Sequence, residues 1–213
     1  MAKPATLDGY SDQYTWDCER VLVTLLRGLG PWKESVYLVG GLTPRYLVKA
    51  RPPVVPAHAG TLDVDIVIDL HQVTEIEAEL LGGDGIAVER IKHANLVSFT
   101  CLKAFAFDQR FERKDAHDLI YCLEHAPEGA DAVAQAFREE CERKHGEVVK
   151  SALAILGTRF AQVGETEGYR KDGPVAVAKF ERGESDEPEQ REARALRQRE
   201  ASNVIEQLLA RIG

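Results

Sequence analysis

With 213 residues, 44% of them apolar and 29% charged, the chain has the composition of an ordinary globular protein, which excludes disorder throughout. Its formal net charge of −8 argues against indiscriminate nucleic-acid binding, because phosphate affinity comes from clustered Lys and Arg releasing counterions; a local basic patch is still offered by Arg110, Arg113 and Lys114. The apolar runs Val64–Ile68 and Val21–Leu26 fall far short of the roughly 20 residues of a membrane span, and Met1–Tyr10 lacks the apolar core of an export signal, so the expectation is a cytoplasmic protein with no membrane partner.

Ser11 is placed to cap a helix over Asp12–Leu29, in which Val21, Leu22, Leu25, Leu26 and Leu29 recur at helical spacing and Gly30-Pro31 ends the run. Ser35–Val39 is short, apolar and β-branched, and Gly40-Gly41 stops it, which predicts a buried strand and a tight turn. Thr43-Pro44 reads as the N-cap and first residue of another helix. The prolines of Arg51–Gly60 make that stretch an extended loop. Leu62–Leu70 alternates as a second strand, with Leu62, Val64, Ile66 and Ile68 on one face and Asp63, Asp65, Val67 and Asp69 on the other. Glu75–Leu81 is expected to be a short helix, Gly82–Gly85 a turn and Ile86–Ile91 a third strand.

From Leu96 the pattern is helical: one helix through Phe107, a charged turn at Asp108–Lys114 and a second helix over Asp115–Glu124. Ala130–Lys144 and Val148–Gln162 read as an antiparallel helix pair. Gly164–Lys171 is a polar loop, Pro174–Phe180 an edge strand and Glu181–Glu187 an acidic linker. Pro188–Ile212 is an amphipathic helix with Leu196, Val204, Ile205, Leu208, Leu209 and Ile212 in a stripe, which either packs back or meets a partner. The fold class expected is therefore α/β, or α+β: a small mixed sheet flanked by helices over residues 1–125, a helical appendage over residues 126–163, and residues 164–213 as loop, edge strand, linker and terminal helix. Cys18, Cys101, Cys122 and Cys141 are widely spaced, with no C-x-x-C pair, and are read as reduced and mostly buried thiols.

Two features carry chemistry. Gly40-Gly41 between a strand and a helix directs free backbone N–H groups and a positive helix end at one spot, where a phosphate fits; glycine permits the close backbone approach, although such turns are more often structural. Asp63 and Asp65, two apart on a strand, project from one face about 7 Å apart and can converge on a divalent cation, whereas a solvated strand edge is the plainer account of D-x-D. Mg²⁺ prefers such hard oxygen ligands and keeps substrate phosphates in its shell.

The combination is more specific than its parts. "VYLVGGLTPRYL" followed by "TLDVDIVIDL" resembles the signature of nucleotidyltransferases of the DNA polymerase β superfamily. "LVSFTCLKAFAFDQRFERKDAHDLIYCLEH" is similar to the helical segment of AbiEii-type nucleotidyltransferases, with Lys103, Arg110, Lys114, Asp115 and Asp118 in the places of that pattern. The two matches together cover roughly half the chain. The resemblance implies that Gly40 and Gly41 hold a nucleoside triphosphate with help from Thr43, Arg45 and Lys114. It also implies that Asp63 and Asp65 ligate Mg²⁺ or Mn²⁺, and that Lys103 joins them in catalysis. The implied reaction moves a nucleoside monophosphate to a hydroxyl of RNA, such as a tRNA, or of a protein. Its implied setting is the toxin of a bacterial toxin–antitoxin or phage-defence system with a cognate antitoxin.

Plainer readings stand beside each of these. Lys103 also fits a snorkelling surface lysine, Arg45 a solvated one, and Asp115 and Asp118 a helix start favoured by the dipole. The family pattern further includes a third carboxylate on a strand beside the D-x-D strand, and only residues 70–92 separate Asp69 from His93, several dozen fewer than the resemblance leads one to expect. Asp69 lies about 13 Å along the strand from Asp65; Glu89 is the best substitute and Asp84 sits in a turn. A degenerate, non-catalytic nucleotide-binding or interaction module is the alternative. The histidines His58, His71, His93, His117, His125 and His145 show no H-x-x-x-H spacing, so no zinc site is expected, and His117 reads as a helix-surface residue.

Overall fold

The computed structural model describes residues 4, 6–10, 12–29, 37–50, 54–56, 58, 61, 65–67, 72–83, 85–143, 146–162 and 165–213. Its elements in chain order are α1 (Asp12–Leu29), β1 (Tyr37–Val39), α2 (Pro44–Leu47), β2 (Asp65–Val67), β3 (Gln72–Glu79), β4 (Ile86–His93), α3 (Leu96–Arg110), α4 (Arg113–Glu124), α5 (Ala130–Cys141), α6 (Gly146–Phe160), α7 (Asp172–Arg182) and α8 (Pro188–Ile212). The four strands make one mixed sheet in the order β2-β1-β4-β3, with β1 parallel to β4 and the other pairs antiparallel.

Helix α1 covers the sheet. Cys18, Leu22, Val23 and Leu26 are buried against Leu38, Leu42, Ile76, Ala87 and Ile91, while Val21 and Leu25 turn to solvent. The stripe at 18, 22 and 26 runs along one helical face, so α1 presents a single apolar side to the strands. A second and larger core belongs to the helices: Val97, Cys101, Ala104 and Phe107 of α3 and Ala116, Leu119 and Ile120 of α4 pack with Phe137, Leu156, Phe160, Val177 and Ile205 from α5 to α8. A smaller cluster of Leu47, Val48, Ala94, Phe99, Tyr121 and Cys122 joins the two layers. Helices α3 and α4 therefore share in the helical core as much as they back the sheet. Cys18, Cys101 and Cys122 are buried and Cys141 is half-buried, and none of the four is in a disulfide.

Two expected elements have the other identity. Glu75–Leu81, expected to be helical, lies mostly in β3: Val73, Glu75, Glu77 and Glu79 are exposed, Ile76 is buried, and Thr74 and Ala78 are partly so, which is the period of two. Toward β4 the Leu80 N–H donates to the Gly85 carbonyl at 2.9 Å, and Gly82, Gly83 and Gly85 take positive φ. Glutamate is a good helix former, but pairing along the full length of β4 outweighs that propensity. Pro174–Phe180, expected to be an edge strand, is inside α7. Pro174 falls in the first turn, where its missing N–H has no intrahelical role, and Gly183 at φ 70° ends the helix. Its apolar run shows no period because α7 lies against both α4 and α8. The acidic linker is correspondingly shorter, since Glu181 and Arg182 are still helical.

Helix α8 spans the expected residues and packs back. Arg197, Ala201, Ile205 and Leu208 are its buried line, with Val204, Leu209 and Ile212 beside it and Leu196 exposed. Among the described residues no helix is long and apolar enough to cross a membrane.

Packing between α6 and α7 is tight enough to test. A Cβ on Gly173 would stand 2.5 Å from the Phe160 ring, which is fully buried. Gly173→Ala is expected to lower stability by about 1–3 kcal/mol, as overpacked cores do, read as a reduced urea midpoint at unchanged m-value. An unaltered midpoint would show that α7 can slide away from α6 at no cost.

Candidate functional site

The turn after β1 has its own geometry. Gly40 adopts φ 74°, a left-handed conformation that side chains rarely tolerate, and Gly40–Leu42 forms one tight turn before α2. Helix α2 is only four residues long, so its dipole adds little at this end. Thr43 occupies the N-cap position but makes no capping bond, and its hydroxyl is buried without a partner among the described residues. Arg45 is turned toward α1, where its Nε lies 2.5 Å from Oε1 of Glu19, and Tyr46 donates to the same oxygen at 3.2 Å.

Three segments meet at Gly41. A Cβ there would be 2.8 Å from Oγ1 of Thr61 and 2.9 Å from Nζ of Lys114. Thr61 is buried and immediately precedes the Leu62–Asp65 segment. The β1–β2 register places Asp65 opposite Val39, the residue before the glycine pair. Asp63 lies outside the described residues, as do Asp69 and Asp84. Glu89 does not complete this set: Leu38 pairs with His93 on β4, so Glu89 is about 16 Å along the strand from the row of Asp65, and its carboxylate faces Nε of Arg27 at 3.8 Å. Among the described residues β2 is an edge strand whose one neighbour, β1, carries no carboxylate.

Behind the turn, α3 and α4 supply a buried charge network. Lys103 Nζ lies 2.8 Å from Asp115 Oδ1 and 2.7 Å from Asp118 Oδ2. Arg110 grips Asp115 through Nε at 2.7 Å and Nη2 at 2.9 Å. Lys114 donates to both oxygens of Asp118, at 3.0 and 2.9 Å, and His58 Nε2 approaches Asp118 Oδ1 at 2.9 Å. Asp115 and Asp118 are thus interior ion-pair partners rather than exposed caps at the start of α4, and Lys103 is a buried residue rather than a snorkelling one. His117, expected on the surface, is only 3% exposed because α7 covers that face of α4.

The electrostatics follow from this packing. Burial opposes the charge on Asp118, yet Lys103 and Lys114 hold its carboxyl well below the usual range. Burial likewise opposes the charge on Lys103, and Asp118 and Asp115 overcome it, raising the ammonium above its ordinary value. Lys114 goes the other way: burial and the nearby Lys103 charge lower it despite its bonds to Asp118. Burial lowers His58 to about 4, so its imidazole is neutral near pH 7. Three cations face two carboxylates, and the network carries net positive charge beside the glycine turn. That sign suits an anion.

No protein-family model matches the chain, and no curated protein and no solved structure shows significant similarity to it. The site is therefore interpreted from its own chemistry. Of the residues expected there, the fold brings Gly40, Gly41, Lys103, Lys114 and the backbone of Asp65 into one region and directs Arg45 to α1. His58, Glu181 and Arg197 were not singled out as site residues by any motif, and His58, in the proline-rich loop, reaches Asp118 across 60 positions.

Proposed function

We propose that the chain binds a nucleoside triphosphate at the turn after β1 and transfers its nucleoside monophosphate to a hydroxyl of an RNA or protein acceptor. The observation that carries this reading is the meeting of Gly41, Thr61 and Lys114, with Asp65 in register beside Val39. Gly41, Lys114 and Asp65 belong to the set that the resemblance to DNA polymerase β-type nucleotidyltransferases implies, and Thr61 precedes the D-x-D segment. Thr61 and Lys114 crowd Gly41 so closely that a Cβ would meet both, so glycine is what lets the lysine ammonium and the threonine hydroxyl reach the backbone of this turn. Lys114 stands at that turn as the phosphate's nearest cation, and Lys103 holds Asp118 from behind so that Lys114 keeps its position. Asp63 and Asp65 would hold Mg²⁺, or Mn²⁺, which when bound neutralises phosphate charge and polarises the phosphoryl oxygens. A cellular role as the toxin of a toxin–antitoxin or phage-defence pair, with a cognate antitoxin, belongs to the same proposal.

A second reading has a specific observation in its favour. Because β2 is an edge strand without a carboxylate on its described neighbour, the chain can bind nucleotide without completing a catalytic metal site. Nucleotide binding by calorimetry and transfer of an α-labelled phosphate, each with Mg²⁺ and each NTP in turn, separate the two. The enzyme reading expects Gly41→Ala to weaken binding by about tenfold or more, roughly 1.4 kcal/mol, and Asp63→Ala and Asp65→Ala to abolish transfer. Binding without transfer in the wild type supports the second reading. NTP binding unaffected by Gly41→Ala would count against both.

A further inference from the structure

We propose that His58, His117 and Asp118 form a binding site for a divalent transition metal, Zn²⁺ by its donor set. One ligand atom from each of the three lies within 4.8 Å of the other two. Tetrahedral zinc with bonds of about 2.0–2.1 Å needs its ligands about 3.3 Å apart, so side-chain movements of about 1 Å or less bring the three into place. Two imidazoles and a carboxylate favour zinc over magnesium, which prefers oxygen ligands alone.

The independent observation is the state of His117. This ring is buried, its Nδ1 is bonded to Glu181 Oε1 at 3.0 Å, and its Nε2 has no hydrogen-bond partner among the described residues. Arg197 also donates to the Glu181 carboxylate through Nε and Nη2, so that carboxylate is an acceptor among donors and Nδ1 of His117 is the donor to it. In the neutral imidazole that proton placement leaves Nε2 with an open lone pair. A buried nitrogen left without a partner costs free energy, whereas a metal uses it. A carboxylate that accepts from the far nitrogen of a histidine is also the usual outer support of a metal-bound imidazole. Arg197 completes that support: its guanidinium bonds Glu181 through Nε at 2.6 Å and Nη2 at 3.0 Å, which fixes the carboxylate under His117.

A metal on Oδ1 of Asp118 displaces the 3.0 Å bond from Lys114 to that oxygen and leaves the one to Oδ2. Nε2 of His58 faces Asp118 Oδ1, and the metal replaces the proton between them, which leaves to solvent or moves to Nδ1. Oδ2 of Asp118 keeps Lys103 and Lys114. The two lysines set a limit on affinity, because their charges oppose a second cation nearby. A cavity of about 610 Å³ lined by His117, Tyr121, His125 and Glu181 lies on the His117 side of the cluster. The bound ion would pin the loop at His58 to α4, joining the segment before β2 to the helical core.

The test uses the full chain, free of tags and stripped with chelator, titrated with Co²⁺ as the optical probe and then with Zn²⁺. The expected result is one Co²⁺ per chain with the visible absorption of a four- or five-coordinate nitrogen–oxygen site, displaced by Zn²⁺ and not by a large excess of Mg²⁺. Asp65→Ala should bind Co²⁺ as the wild type does. Glu181→Gln should lose about 10–100-fold in affinity, and His117→Phe more. Failure of the wild type to take up stoichiometric Co²⁺ overturns the proposal whether or not the variants fold. So do thiolate charge-transfer bands in the spectrum, loss of the site in Asp65→Ala, or unchanged affinity in a folded His117→Phe.

Discussion

Asp118→Asn is expected to destabilise the fold by about 3–5 kcal/mol, measured by urea unfolding near pH 7 with chelator present so that metal binding contributes nothing. The carboxylate is fully buried and receives Lys103, Lys114 and His58. The substitution keeps the shape and removes only the charge, leaving two ammonium groups in an interior that disfavours them. The amide nitrogen of Asn also turns a donor toward a ring of donors. Adding Lys103→Met to this background should recover part of the loss, because it withdraws one of the stranded charges. The two losses are thus expected to be sub-additive, as they are for partners in one network. Full additivity, or a loss under about 1 kcal/mol for Asp118→Asn alone, would mean that the network relaxes into water more readily than its burial implies.

The second large effect concerns Arg197→Met, expected to cost about 3–5 kcal/mol on the same grounds. Arg197 on α8 is 8% exposed and holds Glu124 of α4 through Nη1 at 2.6 Å and Nη2 at 2.9 Å, besides Glu181 of α7. Removing it leaves two carboxylates facing each other where three helices meet. The pH dependence has a definite sign. Glu181 sits at about 2 in the folded protein, below the 4.5 of a free glutamate, so its contribution is fully present above about pH 4.5 and is lost as pH falls toward 2. Wild-type stability should therefore drop through that window. Arg197→Met should drop less, because a protonated Glu181 no longer needs the guanidinium, and the gap between the two proteins should narrow. A gap constant from pH 6 to pH 3 would place the cost in lost packing of the arginine stem rather than in charge.

The mixed α/β class was legible from residue order, and so were the ends of α1 and α8. Helix α1 has a long amphipathic face with Gly30-Pro31 just past its end, and Pro188 opens α8, and local signals of this kind do not depend on distant partners. The segments β3 and α7 were not legible in that way. Thr74–Glu79 is rich in glutamate, and only its pairing with β4 makes its alternation decisive; Pro174–Phe180 is a short apolar run whose state depends on α4 and α8 lying on either side of it.

The candidate site divides along the same line. The glycine pair, the D-x-D spacing and the K-D-x-x-D start of α4 are properties of the chain, since each is a matter of what one short segment can do. What the tertiary structure decided is which charges meet: Lys114 is delivered to Gly41, Arg45 is turned to Glu19, Glu89 sits mid-way along β4 beside Arg27 and away from Asp65, and His58 and His117 converge on Asp118. No spacing rule could place those histidines together, because they come from a proline-rich loop and a helix that approach only after the sheet and the helical core have packed. Periodicity reports how a segment meets its nearest neighbours. Ion pairs and ligand sets report contacts across the whole fold, and those are determined only when the cores close.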